Sequence, residues 1–176
     1  MPSNQEIEFS AIRQSTTVNG KSYDMYLGFL PAKTINKVAL VPQFARQKAH
    51  SQIAMGLTQV PIDQWQRPLE KDKVESIKSL YDDTSHDNIM PNPILLGANG
   101  TRILQSPDII KIESFTIDTG QNTQVINELV KVKLKTGTRD IDKPLWILDG
   151  QHRIKGLVAS SNQNSNPVPF VLLYGR

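Results

Sequence analysis

LWILDGQHRIKGL, residues 145–157, is the stretch on which the fold turns. Leu145 to Leu148 is a short apolar run of the kind that forms a buried strand, and it stops abruptly at Asp149-Gly150. From there Ile154, Leu157 and Val158 recur at helical spacing. The pattern predicts a strand ending near Leu148 that passes through a glycine turn into a helix starting at about Gln151. Such a junction is a recurrent way to hold phosphate. Gly150 lets the backbone turn tightly and approach an anion, the first N–H groups of the helix lack intrahelical partners, and the helix dipole favours negative charge there. Arg153 adds a two-pronged contact to phosphate oxygens and His152 a further donor. Asp149 is the catalytic candidate, placed to orient water or a magnesium ion. The same residues also read as a plain turn, with Asp149 as an N-cap and Arg153 in a surface ion pair.

Outward from this junction, Ser160 to Pro167 is a polar loop and Val168 to Tyr174 a final strand. Upstream, Trp65 to Asp83 places Val74, Ile77, Leu80 and Tyr81 on one helical face, with Lys71, Lys73, Glu75 and Lys78 on the other. Pro91-Asn92-Pro93 leads into a short buried strand, Ile94 to Leu96. Residues 101–143 read as an antiparallel excursion. Ile110, Ile112, Phe115 and Ile117 suggest one strand; Val130, Val132 and Leu134 alternate with Lys131, Lys133 and Lys135 in another, with the valines and leucine facing inward. The lysine face reads either as a basic strip for DNA phosphates or as protection of a sheet edge. At the N-terminus Ile7 and Phe9, then Asn19-Gly20, then Tyr23, Met25 and Leu27 spell a β-hairpin. Val38 to Val41 is a strand candidate, and 43–56 is assigned weakly to helix.

The chain has 176 residues and no cysteine, so disulfides, thiolate metal ligands and thiol nucleophiles are excluded. A net charge of +3 permits phosphate contact without demanding it. No apolar run approaches the ~20 residues of a membrane span, and MPSNQEIEFS lacks a signal-peptide pattern, which points to the cytoplasm. His50, His86 and His152 have no metal-ligand spacing and no cysteine accompanies them, so no structural zinc site is expected. Trp65 and Trp146 read as core residues beside the two key segments.

The string around Asp149–Arg153 resembles the signature of the DGQHR-domain family, which includes the DndB proteins of DNA phosphorothioation clusters. QRPLEKDKVESIKSL, residues 66–80, is similar to the segment that opens sulfiredoxin and ParB-type domains, and PNPILLGANG follows where those domains place their next strand. The resemblance implies a mixed α/β fold: a ParB/sulfiredoxin-like core over 59–176 with an inserted antiparallel hairpin at about 101–143, and an N-terminal β-hairpin and connecting segment, 1–58, packed on it. It implies that Arg67, Gly150, Gln151, His152 and Arg153 bind ATP or another nucleotide, with magnesium as companion. It further implies a regulator in a DNA-modification or defence system, with DNA as a partner. ATPase activity, non-enzymatic DNA binding and ParB-like nuclease activity all stay open. Sulfinic acid reduction does not, because Gln151 stands where sulfiredoxin needs its cysteine. DndB-like proteins continue past this motif with a largely helical region, so part of any DNA-binding surface is expected outside these residues.

Overall fold

The computed structural model describes residues 5–41, 69–85, 88–118 and 123–174. The architecture is mixed α/β, as the sequence implies. Strand β1 (Gln5–Val18) and strand β2 (Lys21–Pro31) form the N-terminal hairpin. Asn19 and Gly20 both take positive φ, 50° and 75°, the left-handed pair that matches the right-handed twist of the two strands. There follow α1 (Ala32–Val38), β3 (Ala39–Leu40), α2 (Lys71–Asp82), β4 (Ile94–Ala98), α3 (Gly100–Gln105), β5 (Ile110–Asp118), β6 (Thr123–Thr136), β7 (Leu145–Asp149), α4 (Gln151–Ala159) and β8 (Pro167–Leu173).

The eight described strands make one mixed sheet in the order β3-β7-β4-β8-β2-β1-β6-β5. β3 runs parallel to β7, and β4 parallel to β8; the remaining neighbours are antiparallel. β6 pairs along β1 from Gln5↔Thr136 to Ile12↔Leu129, so the strands of the 101–143 stretch continue the same sheet as the N-terminal hairpin. The core is built on the sheet, and at β7, where Leu145, Trp146 and Ile147 are all fully buried, both faces are covered. Ile94, Leu96, Phe170 and Leu172 from adjacent strands are buried in the core, with Ile154 and Leu157 of α4 also enclosed. Phe9 of β1 packs edge-on against the Phe170 ring, with centroids 5.4 Å apart.

Val130, Val132 and Leu134 are fully buried, as their alternation with lysines predicts. The edge-protection reading of the lysines needs correction. β6 lies between β1 and β5, so they guard no edge. Lys131 pairs with Glu8 at 2.9 Å and Lys133 with Glu113 at 2.8 Å, so much of the strip's charge is met by carboxylates of the neighbouring strands.

Three further readings change. Val38 ends a helix, and the strand that follows is only Ala39–Leu40. That helix, α1, is announced by Ala32, Ile35 and Val38, all buried at a spacing of three. The 101–143 excursion opens with a helix, α3, before its first strand. Asn99 caps α3, its side-chain oxygen accepting from the Arg102 N–H at 3.4 Å. Leu80 is 53% exposed, because at ~100° per residue it points well away from the stripe of Val74, Ile77 and Tyr81. The weak helix assignment at 43–56, and Trp65, lie outside the described residues.

α4 packs against both α1 and α2. The crossing with α2 depends on the missing side chain of Gly156. A Cβ there would meet Ile77 Cγ2 at 2.5 Å and the Val74 carbonyl oxygen at 2.9 Å. Gly156→Ala is therefore expected to destabilise the fold by ~1–3 kcal/mol through overpacking, despite the better helix propensity of alanine. Urea denaturation should show a lower midpoint with an unchanged slope, and Ile77→Ala in the same chain should recover part of the loss. A Gly156→Ala variant as stable as the parent would show that the two helices have room to separate.

Candidate functional site

β7 carries three fully buried apolar residues, Leu145, Trp146 and Ile147, and so drives the chain through the interior, between β3 and β4, to Asp149 at its end. Gly150 then turns the chain at φ 90°, ψ 17° and serves as the N-cap of α4. Two constraints require glycine. The left-handed φ disfavours any side chain, and a Cβ would run into the Ile94 side chain of β4. The Gly150 carbonyl accepts the first helical bond, from the Ile154 N–H at 3.0 Å. No side chain caps the helix start, and no acidic residue sits in its first turn. The strand–turn–helix expected from 145–157 is thus present, with α4 beginning at Gln151.

Each predicted site residue has a defined place, except Arg67, which lies outside the described residues. Arg153 folds back over the turn. Its Nη1 donates to the Asn92 carbonyl at 2.7 Å, and its Nη2 to the Pro93 carbonyl at 3.4 Å and to Asp149 Oδ2 at 3.0 Å. One guanidinium therefore joins the end of β7, the first turn of α4 and the segment that feeds β4. Asp149 is exposed at the mouth and serves as Arg153's ion-pair partner rather than as the helix cap. Gln151 is buried in the first turn.

His152 departs from the expectation that it offers a plain donor. Its Nε2 accepts from the Glu70 backbone N–H at 3.0 Å, which places the other proton of the neutral ring on Nδ1. Glu70 is the N-cap residue of α2, so His152 ties the start of α2 to the start of α4. Lys155 points away from the turn and donates to Asn36 Oδ1 of α1 at 2.7 Å. Burial, with Lys143 nearby, holds its ammonium below the usual lysine range.

The groups that sequence reading missed here are backbone ones: the Asn92 and Pro93 carbonyls and the Glu70 N–H. Backbone atoms leave no side-chain signature. The one available signal was Pro91-Asn92-Pro93, whose prolines hold that segment extended. Among the described residues no group of three or more histidines and carboxylates is placed to hold a metal ion, and no helix is long and apolar enough to cross a membrane. His50 and His86 lie outside the described residues. No protein-family model, curated protein or solved structure matches this chain.

The clamp makes a stability prediction independent of any ligand. Arg153→Ala strips two carbonyls and a carboxylate of a charged donor and should cost ~1.5–3 kcal/mol. Arg153→Lys should recover only part of it, because an ammonium cannot span three acceptors with a planar fork. Gly150→Ala should lose at least as much, from the left-handed backbone and the contact with Ile94. Thermal melts of the three variants check this, and an Arg153→Ala variant melting with the parent would show the clamp to be energetically idle.

Proposed function

We propose that the Asp149–Arg153 turn holds the phosphates of a nucleotide, and that the chain is a DGQHR-type, DndB-like regulator of a DNA-modification or defence system. The observation that carries this reading is the left-handed Gly150 delivering β7 into an uncapped helix start with Arg153 folded over it. The N–H groups of a helix start attract anions, and an arginine fork adds charge and direction to that attraction. The exposed Asp149 carboxylate is the anion that Arg153 holds at the turn. A phosphate oxygen competes for the same guanidinium, while the Asn92 and Pro93 carbonyls keep the fork aimed. His152 contributes its Nδ1 proton and Gln151 and Gly150 the backbone. Asp149, released by that exchange, becomes the carboxylate placed to hold magnesium or orient a water, and ATPase activity would rest on it. Lys131 and Lys133 are paired with glutamates, so DNA contact by this face would exchange those carboxylates for phosphates.

Isothermal titration of ATP, GTP and CTP into the parent, Arg153→Ala and Lys155→Ala tests the reading. At least one nucleotide should bind the parent. Arg153→Ala should weaken it roughly ten- to a hundred-fold, the worth of one charge-assisted bond, and Lys155→Ala, directed at Asn36, should change it far less. No binding of any of the three to the folded parent, or equal affinity for Arg153→Ala, would return the turn to a purely structural role.

A further inference from the structure

A second concave site lies far along the sheet from Gly150 in strand order, on the N-terminal hairpin. The inward-facing positions of β1 run Ile7, Phe9, Ala11 and then turn polar at Arg13 and Ser15. The register sets Arg13 opposite Tyr26 and Ser15 opposite Asp24, so these four side chains occupy one face. Arg13, Asp24 and Tyr26 line an open hollow of about 650 Å³, to which Tyr174, Ile110 and Ile112 add apolar surface. That volume is within the usual range of small-molecule sites, ~300–1,000 Å³.

The charges of this wall are arranged for a ligand. Arg13 is half-buried, yet it has no hydrogen bond or ion pair among the described residues. Asp24 is half-buried too, and its partners are hydroxyls: it accepts from Ser15 Oγ at 2.5 Å and from the Tyr26 phenol at 3.3 Å. Neither donor neutralises it. Arg13 and Asp24 are diagonal cross-strand neighbours, a relation that sets residues ~7–8 Å apart, and they do not pair with each other. Burial, reinforced by Asp24, pushes the Tyr26 phenol up to about 12, so the phenol keeps its proton and continues to hold the carboxylate in place. The exposed Asp108 and Lys111, which also line the cavity, add one charge of each sign, and the nearby Glu113 is engaged by Lys133. The balance of the wall favours a ligand with no net charge and one charge of each sign, which separates this site from a phosphate site.

We infer that this cavity binds a free α-amino acid with an apolar side chain, its carboxylate on Arg13, its ammonium on Asp24 and its side chain against Ile110, Ile112 and Tyr174. The inference does not rest on the nucleotide reading of the Gly150 turn.

Isothermal titration with L-phenylalanine and L-leucine tests it, beside two analogues that each lack one charge, L-phenylalaninamide and N-acetyl-L-phenylalanine. At least one amino acid should bind the parent. Both analogues should bind at least tenfold more weakly than L-phenylalanine, as should the amino acid to Arg13→Gln and to Asp24→Asn, with folding of each variant checked by circular dichroism. Arg153→Ala should bind the amino acid like the parent, which keeps failure here distinct from failure at the turn. The analogue comparison uses the parent protein and stands even where a variant does not fold. Absence of binding by both amino acids, an N-acetyl analogue as tight as the free amino acid, or a folded Arg13→Gln with parental affinity would each overturn the inference.

Discussion

The fold hangs on a backbone position that has no space for a side chain. Gly150 must be left-handed to swing the chain from β7 into α4, and its Cα faces the Ile94 side chain so closely that a Cβ would collide with it. Because β4 and β7 are hydrogen-bonded neighbours, this contact fixes where the helix leaves the sheet. Arg153 then locks the exit angle. One planar group reaches the carbonyls before β4 and the carboxylate at the end of β7, which neutral side chains could not do from a single position.

The packing of the helices follows from that exit. α4 leaves the turn with Ile154 and Leu157 directed into the core and Gly156 directed at α2, where the absent side chain lets Ile77 and the Val74 carbonyl approach. His152 and Lys155 fasten the two flanks, to the start of α2 and to Asn36 of α1. At the other end of the helices, Asp82 accepts from the Ser161 N–H and hydroxyl, which hold its carboxyl below the usual range. A single nine-residue helix thus organises its neighbours through contacts at nearly every turn. The price of such convergence is that the candidate site residues are structural residues as well.

Much of this was legible in sequence where one physical signal dominated. The Asn19-Gly20 turn, the alternation of Val130, Val132 and Leu134, and the apolar run ending at Asp149-Gly150 each specify a local geometry with little competition. The reading failed where a short segment carried two meanings. Val38 looks like the start of an apolar strand and is the last turn of α1, because Ala32 and Ile35 before it complete a helical stripe. Leu80 looks like core and faces water, since composition marks it apolar while its angle on α2 turns it outward. The role of the lysine strip was invisible because its partners, Glu8 and Glu113, come from strands remote in sequence, whose order in the sheet no local pattern encodes. At the turn, the residue types were legible but the clamp was not, since two of its three acceptors are backbone carbonyls.

The two proposed sites differ in character: a helix start with a directed arginine, and a cavity on the hairpin lined by charges of both signs. They should be separable by titration. Two-dimensional ¹H–¹⁵N correlation spectra of the labelled protein, recorded as ATP, GTP and CTP are added in separate titrations, report each backbone amide at once. The account predicts that at least one nucleotide gives saturable shifts concentrated on the amides of Gly150, Gln151, His152 and Arg153. Amides there that no nucleotide moves, or shifts centred instead on Arg13, Asp24 and Tyr26, would contradict it.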